Sequence, residues 1–197
     1  MGQKGKIKRV EIAEVALEII NRRGLKDLTI TAIANEIGVV PSALYKHYKN
    51  KEEILDEVLA LVREKFRKNI QKVKKEHLTS LAQLDAILAR HINFIRERKA
   101  LPRILFSEEI IGDSKRRKKV LAKIIKEQIE NISQIISEGQ KSREIRKDLD
   151  PISLAIMFLG IVQPAAILWH ASEGEFDLVD YAKKAWNYFK EFLMKFD

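Results

Sequence analysis

The stretch from Thr29 to Glu53 carries the side chains best suited to chemistry in this chain. It reads as two short apolar-periodic segments joined by a glycine turn, with the second segment opening at Pro41, where a first helical residue belongs. That second segment presents Tyr45, Lys46 and His47 outside its apolar face. Hydroxyl, ammonium and imidazole groups on one short helix are suited to hydrogen bonds with phosphates and base edges. The pattern predicts a helix-turn-helix that reads double-stranded DNA.

The remaining side chains give little support to catalysis. The chain has no cysteine, which excludes a disulfide framework, a thiolate zinc site, an iron–sulfur cluster and a cysteine nucleophile. Its four histidines are scattered without metal-ligand spacing, and no glycine-rich phosphate loop or nucleophile motif occurs. We therefore expect a protein that is not an enzyme and that uses no metal and no cofactor.

Charge is concentrated near the start of the chain. The 197 residues include 37 Lys and Arg against 28 Asp and Glu, a formal net charge of +9. Residues 1–50 hold nine basic and five acidic residues, a net of +4 in about a quarter of the length. A basic arm before the first helix is a common phosphate contact, although a solvated tail has the same composition. No secretory signal is recognisable, so we expect a cytoplasmic protein.

Helical periodicity dominates the chain, and no window alternates as a strand would. With 8 Gly and 4 Pro among its residues, the sequence predicts an all-α fold of about nine helices with short connections. One short helix is expected over residues 103–110, after Pro102. We expect residues 1–50 to form a DNA-binding domain and residues 51–197 a helical effector-binding and dimerisation domain.

Residues 152–169 form an uncharged, mostly apolar stretch close to the length that crosses a membrane. Ser153, Gly160, Gln163 and Pro164 interrupt it, and no second such stretch exists. A helix buried on one side by its own core and on the other by a partner chain has the same composition. We favour this second interpretation, which predicts no membrane association and a homodimer through the last two helices, with Ile161 taken as an interface position.

The segments Ile33–Val39 and Leu44–Ile54 resemble the TetR family of bacterial transcriptional regulators. The pattern extends back to Ala16 and Gly24, and a weaker similarity lies at Ile145–Pro151. The resemblance implies a three-helix DNA-binding unit at the N-terminus of a larger helical domain that binds a ligand and dimerises.

The resemblance also implies which residues meet DNA. The implied phosphate contacts are Thr29, Thr31, Tyr45 and Lys51, and the implied groove-facing residues are Pro41, Ser42, Ala43, Lys46 and His47. Three positions depart from the family pattern. Val40 stands where a capping Ser or Thr is frequent, Pro41 where Lys or Arg is frequent, and Arg143 where Gly is frequent.

An effector pocket is expected where polar or aromatic groups interrupt the apolar faces of the later helices. The candidates are His91, Phe94, Arg103, Phe106, Gln128, Gln163 and Trp169. Mostly apolar pockets with a few placed polar groups bind small apolar molecules, so we expect an acyl chain, a steroid-like compound or an aromatic compound. Each candidate could equally be an ordinary core or surface residue.

The function predicted from these features is that of a repressor that binds a palindromic operator as a dimer and is released by a small, largely apolar effector. Two alternatives remain at this point: an effector-free or architectural DNA-binding protein, and a helical protein of membrane surfaces. The basic run Lys115–Lys119 opens a helix, where cations oppose the helix dipole, and its composition is typical of a solvated face without a site.

Overall fold

The computed structural model describes residues 9–76, 78–98 and 114–194. Over these ranges the chain forms eight α-helices and a short 3₁₀ turn at Leu25–Asp27, with no strand, which confirms the all-α prediction. The helices are α1 Arg9–Arg23, α2 Ile30–Glu36, α3 Pro41–Tyr45, α4 Lys51–Lys74, α5 Ser80–Glu97, α6 Lys115–Lys141, α7 Pro151–Ala171 and α8 Leu178–Met194. The helix expected over residues 103–110, with Arg103 and Phe106, lies outside the described residues.

The first three helices pack with the N-terminal half of α4 around one apolar cluster. Ala16, Ile33 and Leu44 are completely buried there, one from each of α1, α2 and α3. The turn between α2 and α3 is made by Gly38 at φ +71°, a left-handed conformation that glycine adopts without steric cost. The Val39 amide then donates to the carbonyl of Ala34 at 2.9 Å, which fixes the angle between the two short helices.

The start of α4 is held by a reciprocal cap. The side chain of Asn50 accepts a hydrogen bond from the Glu53 amide at 3.2 Å. Glu53 in turn accepts from the Lys49 amide at 2.8 Å. Two backbone donors at the junction of α3 and α4 are thereby satisfied, so the recognition unit is joined to α4 without a flexible linker.

A second apolar cluster lies among α5, α6, α7, α8 and the C-terminal half of α4. Phe158 of α7 and Trp186 of α8 meet edge-to-face at 5.4 Å between ring centroids. The indole Nε1 of Trp186 donates to Asp85 on α5, and Lys190 donates to the same carboxylate at 3.0 Å. These contacts join three helices of the second cluster at one point.

Helices α4 and α6 run parallel for most of their length. Arg117 at the start of α6 pairs with Glu52 at the start of α4. Further along, Arg63 of α4 binds Glu127 through a two-pronged contact whose Nε–Oε2 distance is 2.8 Å. Near the far end, Lys74 Nζ lies 2.9 Å from Gln134 Oε1 (a third link). At about 1.5 Å per residue these links extend along roughly 33 Å of α4.

These links correct part of the interpretation of Lys115–Lys119 as a solvated face. Arg117 is buried, and Arg116 Nη2 lies 3.0 Å from Asp56 Oδ2 on α4. Lys115, Lys118 and Lys119 are exposed, as expected. Carboxylates from a neighbouring helix explain how several cations are tolerated at a helix N-terminus.

Helix α7 is the one described helix that is long and apolar enough to cross a membrane. Its most apolar stretch of 18 residues has a mean hydropathy of 2.0, and 44% of that stretch is buried inside the protein. One face, including Leu154, Phe158 and Ile161, packs into the second cluster. Ile161 is only 8% exposed, so its assignment to a partner interface was wrong. The opposite face is apolar and exposed at Ile152, Ile156, Met157, Ile167 and Leu168.

Candidate DNA-reading surface and effector region

Helix α3 is anchored by its buried side and presents its other side to solvent. Leu44 is fully buried, and Tyr48, in the turn that follows, is 5% exposed, as expected for a core tyrosine. Burial, together with the charge of Glu57, raises the pKa of the Tyr48 phenol. Tyr45 is 54% exposed on the opposite side. The two tyrosines therefore have separate roles, one in packing and one available to a ligand.

The residues implied to meet DNA lie on one continuous part of the structure, from the start of α2 to the first residue of α4. All are exposed or half-exposed: Thr29, Thr31, Pro41, Ser42, Ala43, Tyr45, Lys46, His47 and Lys51. Thr29 also caps α2, because its Oγ1 accepts from the Ala32 amide at 3.0 Å. Its hydroxyl proton remains able to donate to a phosphate.

The entry to α3 is built without a side-chain cap. Val40 occupies the cap position with an extended backbone, makes no capping hydrogen bond and is 65% exposed. Pro41 supplies the first helical residue, and the Ala43 amide donates to the Val40 carbonyl at 2.9 Å. The departure at position 40 therefore does not prevent α3 from forming, because proline fixes φ and needs no hydrogen-bond acceptor.

A side-chain bridge joins the end of α5 to α1. Arg98 binds both carboxylate oxygens of Glu14, at 2.9 and 2.7 Å. The Arg98 guanidinium also lies 4.9 Å from the ring centroid of Phe94, which packs against the N-terminal cluster. A displacement of α5 would therefore displace α1 through this bridge, as well as through α4.

Two of the predicted pocket residues come together around Phe66 of α4, which is not among the predicted pocket positions. His91 and Phe94 both meet Phe66 edge-to-face, at 5.0 and 5.6 Å between ring centroids. Burial lowers the pKa of His91 to about 4, so the imidazole is neutral at physiological pH. In the sequence, Phe66 is one member of the apolar stripe of α4 and carries no other signal. We call Phe66, His91 and Phe94 the aromatic junction.

The other described candidates lie elsewhere. No hydrogen bond or ring contact of the described chain joins Gln128, Gln163 or Trp169 to the aromatic junction. Trp169 lies near the end of α7, where its carbonyl accepts from the Gly174 amide at 2.9 Å. The structure thus brings together two of the seven candidates, and the pocket as a whole stays a prediction.

Within the described residues, one cavity opens between α4 and α6 and another between α5 and α8. The first, of about 470 Å³, is lined by the charged side chains of Arg63, Arg67, Arg116, Asp56 and Glu64 together with the apolar Ala60 and Val120. A hydrogen bond from Arg67, with further help from Lys68, lowers the pKa of Glu64 to about 2. The other, about 620 Å³, lies between α5 and α8 and is lined largely by alanine and aliphatic side chains. Among the described residues no group of three or more His, Cys, Asp or Glu side chains could hold a metal ion.

Comparison with known families covers nearly the whole chain. Residues 12–58 match the family of bacterial regulatory proteins described as tetR. Residues 49–191 match the family described as the C-terminal region of YsiA-like proteins. The two matches meet within α4, the helix that contributes to both apolar clusters.

Similar proteins agree with this assignment. The fatty acid metabolism regulator protein of Bacillus subtilis (strain 168) is 26% identical over 175 residues, covering 87% of this chain and 88% of that protein. The HTH-type transcriptional repressor KstR2 of Rhodococcus jostii (strain RHA1) is 25% identical over 183 residues, covering 93% and 88%. The structure of FadR from Bacillus subtilis in complex with stearoyl-CoA shares the fold, with a TM-score of 0.75 at 24% identity over 92% of this chain and 97% of that one. The chain therefore belongs to the tetR family of bacterial regulatory proteins and is a transcriptional regulator of that family.

Proposed function

We propose that this regulator is a homodimeric repressor that binds a palindromic double-stranded DNA operator and is released by a largely apolar small molecule. Residues 1–50 would form the DNA-binding domain and residues 51–197 the effector-binding and dimerisation domain. The observation that carries the proposal is the exposed face of α3. Tyr45 at the end of α3 and Lys46 and His47 in the turn that follows are exposed beside the fully buried Leu44. A helix of this length is too short to be stable alone, so its position depends on this packing.

Operator contacts are assigned to both ends of this unit. Thr29 and Thr31 at the start of α2, with Tyr45 and Lys51, would bind phosphates and set the register. Ser42, Lys46 and His47 would reach base edges in the major groove, with Pro41 and Ala43 in apolar contact. Contacts of both kinds are needed, because phosphates position a protein without specifying sequence.

Dimerisation is assigned to the exposed apolar face of α7 and to α8. Ile156, Met157 and Leu168 on α7 are 53, 52 and 50% exposed, and Tyr188 on α8 is 72% exposed. Helices α7 and α8 pack against each other, and we call these four exposed side chains the dimerisation stripe. A second copy of the chain would cover the stripe in a four-helix bundle with the same stripe on its partner.

The effector is assigned to the long-chain acyl-CoA class. The relative from Bacillus subtilis is a fatty acid metabolism regulator, and the FadR structure holds stearoyl-CoA. In this chain, the aromatic junction offers an apolar surface on α4 and α5. The arginines of the cavity between α4 and α6 are paired with carboxylates, and the phosphate groups of a ligand would take the place of these carboxylates. An acyl thioester has both chemistries in one molecule.

Selection of bound sequences from a random DNA pool tests the DNA-binding half of this proposal. The purified protein should enrich a palindrome with half-sites about one helical turn apart. Enrichment of no sequence, with affinity that follows salt alone, would support the architectural alternative and overturn the proposal.

Operator release tests the effector. Stearoyl-CoA should displace the selected operator, whereas CoA alone and stearate alone at equal concentration should displace much less. A coupling of about 1–3 kcal/mol, or roughly 5- to 150-fold in operator affinity, is sufficient for induction. Enlarging Gln163 to Trp, a predicted pocket position, should weaken the response. Equal release by all three compounds, or none, would remove the acyl-CoA assignment.

A further inference from the structure

The lysines at the start of α6 form a basic patch that the operator contacts described above leave unused. Lys115, Lys118 and Lys119 are all exposed. Their neighbours Arg116 and Arg117 pair with acids of α4, but none of these three lysines has an ion pair in the described part of the chain. We call Lys115, Lys118 and Lys119 the α6 basic patch.

The ion pairs fix where this patch lies. Arg117 binds Glu52, the residue directly after Lys51, and Lys51 is the first residue of α4. Because α4 and α6 run parallel, both N-termini lie at the same end of the molecule. That end carries α3 and its exposed face, so the patch lies at the end of the molecule that carries the DNA-reading surface.

Side-chain direction adds reach toward DNA. Side chains of a helix tilt toward its N-terminus, so these lysines lean toward the end of α6 that lies beside α3. Packed helices have axes about 8–10 Å apart, while phosphates of one strand recur about every 3.4 Å along the duplex. A cation displaced sideways from Lys51 by one helix diameter would therefore meet a phosphate a few nucleotides away from the one that Lys51 meets.

Electrostatics favours an external anion at this position. Cations in the first turn of a helix face the positive end of its dipole, which costs free energy unless anions are near. Glu52 and Asp56 supply such anions to Arg117 and Arg116. The three lysines have no such partner in the described residues, so a DNA phosphate would relieve their mutual repulsion as well as bind them.

We propose that the α6 basic patch binds backbone phosphates of the operator, next to those met by α2, α3 and Lys51, so that the C-terminal domain itself takes part in DNA binding. The inference rests on the operator binding proposed above. It also gives the first turn of α6 two partners, α4 on one side and DNA on the other.

Salt dependence of operator affinity tests this proposal. The full chain carrying Lys115→Gln, Lys118→Gln and Lys119→Gln is compared with a matched control carrying Lys72→Gln, Lys75→Gln and Lys141→Gln. The control lysines are exposed at the far ends of α4 and α6, so both variants lose the same charge. In the first variant, the slope of log affinity against log salt should fall by about 0.9 for each phosphate that a subunit no longer neutralises. In the control the slope should change much less.

Phosphate ethylation interference on the same operator gives a second readout, which locates each phosphate contact along the DNA. Ethylation should prevent operator binding by the parent protein at the phosphates that Tyr45 and Lys51 contact, which Tyr45→Phe and Lys51→Ala identify. It should also prevent binding at further phosphates outside that set. Coincident salt slopes for the two triple variants, with no interference outside the helix-turn-helix footprint, would overturn the patch and leave the proposed function intact. Failure of the parent to select any operator would overturn both.

Discussion

Arg117 and Glu52 are 65 positions apart in sequence, yet they form an ion pair that holds the first turn of α6 against the first turn of α4. The side chain of Arg117 is 10% exposed and that of Glu52 is 46% exposed. The pair therefore belongs partly to the interior, where the loss of one member leaves the other charge uncompensated.

Breaking this pair should destabilise the protein. Glu52→Gln removes the anion from a buried guanidinium, and we expect a loss of about 1–2 kcal/mol in the free energy of unfolding, between the values for exposed and fully buried pairs. Urea unfolding measures the change. Glu130→Gln, which breaks the exposed contact with Lys126 at 3.8 Å, is the control and should cost no more than about 0.5 kcal/mol. Equal losses would show that Arg117 needs no partner.

Operator affinity should depend on the hydroxyl of Tyr45. Tyr45 is 54% exposed, so Tyr45→Phe should leave the unfolding free energy unchanged. It should weaken operator binding by about 1 kcal/mol per half-site, the value of one hydrogen bond. Ser133→Ala in the C-terminal half of α6, which removes a hydroxyl that donates to the Glu130 carbonyl at 3.0 Å, is the control and should bind as the parent does. Filter binding or fluorescence anisotropy measures the operator affinity of each variant. An affinity of Tyr45→Phe equal to that of the parent would contradict the assignment of Tyr45 to a phosphate contact.

Substitutions at different positions of α7 should disrupt either the proposed dimer or the fold of the subunit, depending on which face of the helix they alter. Ile156 is 53% exposed in the single chain, so Ile156→Glu should give folded monomers that lose operator binding. Ile161, at 8% exposure, faces the chain's own core, and Ile161→Glu should unfold the subunit instead. Leu78→Glu, at a 36% exposed position before α5, should stay dimeric. Analytical ultracentrifugation distinguishes the three outcomes, and a monomeric parent would remove the proposed dimer.

Stability should fall in mild acid because of His91. Its pKa is lowered to about 4 in the folded chain by burial, against about 6.5 unfolded. Between these values the unfolded state binds the proton and the folded state does not, so the contribution of His91 is complete above about pH 6.5 and is lost as pH falls toward 4. The loss amounts to about 3 kcal/mol. His91→Phe should flatten this part of the stability profile, and parallel profiles for parent and variant would contradict it.

Arg143 should tolerate replacement by glycine. It has φ +64°, a left-handed conformation that costs an ordinary residue about 1–2 kcal/mol. Glycine removes this strain but adds about 0.5–1 kcal/mol of unfolded-state entropy. Arg143→Gly should therefore be stabilising by up to about 1 kcal/mol, while Lys126→Gly in α6 should destabilise by about that amount. A clear loss of stability in Arg143→Gly would mean that the loop needs the arginine side chain.

Features with local signals were predictable from the sequence. The turn at Gly38, the cap at Asn50 and the proline at the start of α3 each depend on residues within a few positions. The burial of Arg117 was not predictable, because its partner Glu52 is distant and nothing in a basic run marks one member as internal. The orientation of Ile161 was equally hidden, since a helix that is apolar all round gives no periodicity from which to choose its inner face.

Predictability was lowest for the effector region. His91 and Phe94 were recognisable as unusual residues on an apolar face, but their common neighbour Phe66 lies on another helix and is an ordinary member of its stripe. Gln163 and Trp169 were equally unusual in sequence and lie apart from that cluster. Side chains on different helices meet through the packing of whole helices, which the spacing of residues along one helix does not determine.

The sharing of α4 between two apolar clusters has a mechanical consequence. Helix α4, with 24 residues, would act as a lever about 36 Å long, since Val58 and Val62 are held in the first cluster and Ile70 and Val73 in the second. Rotation of α4 by roughly 5° about its C-terminal end would move its N-terminal end by about 3 Å. In the proposed dimer, opposite rotations in the two subunits would change the separation of these N-terminal ends by about 6 Å. Successive major grooves offer the recognition helices positions fixed at about 34 Å. A small rotation of α4 in each subunit of that dimer is thus enough to move both recognition helices out of register with the duplex.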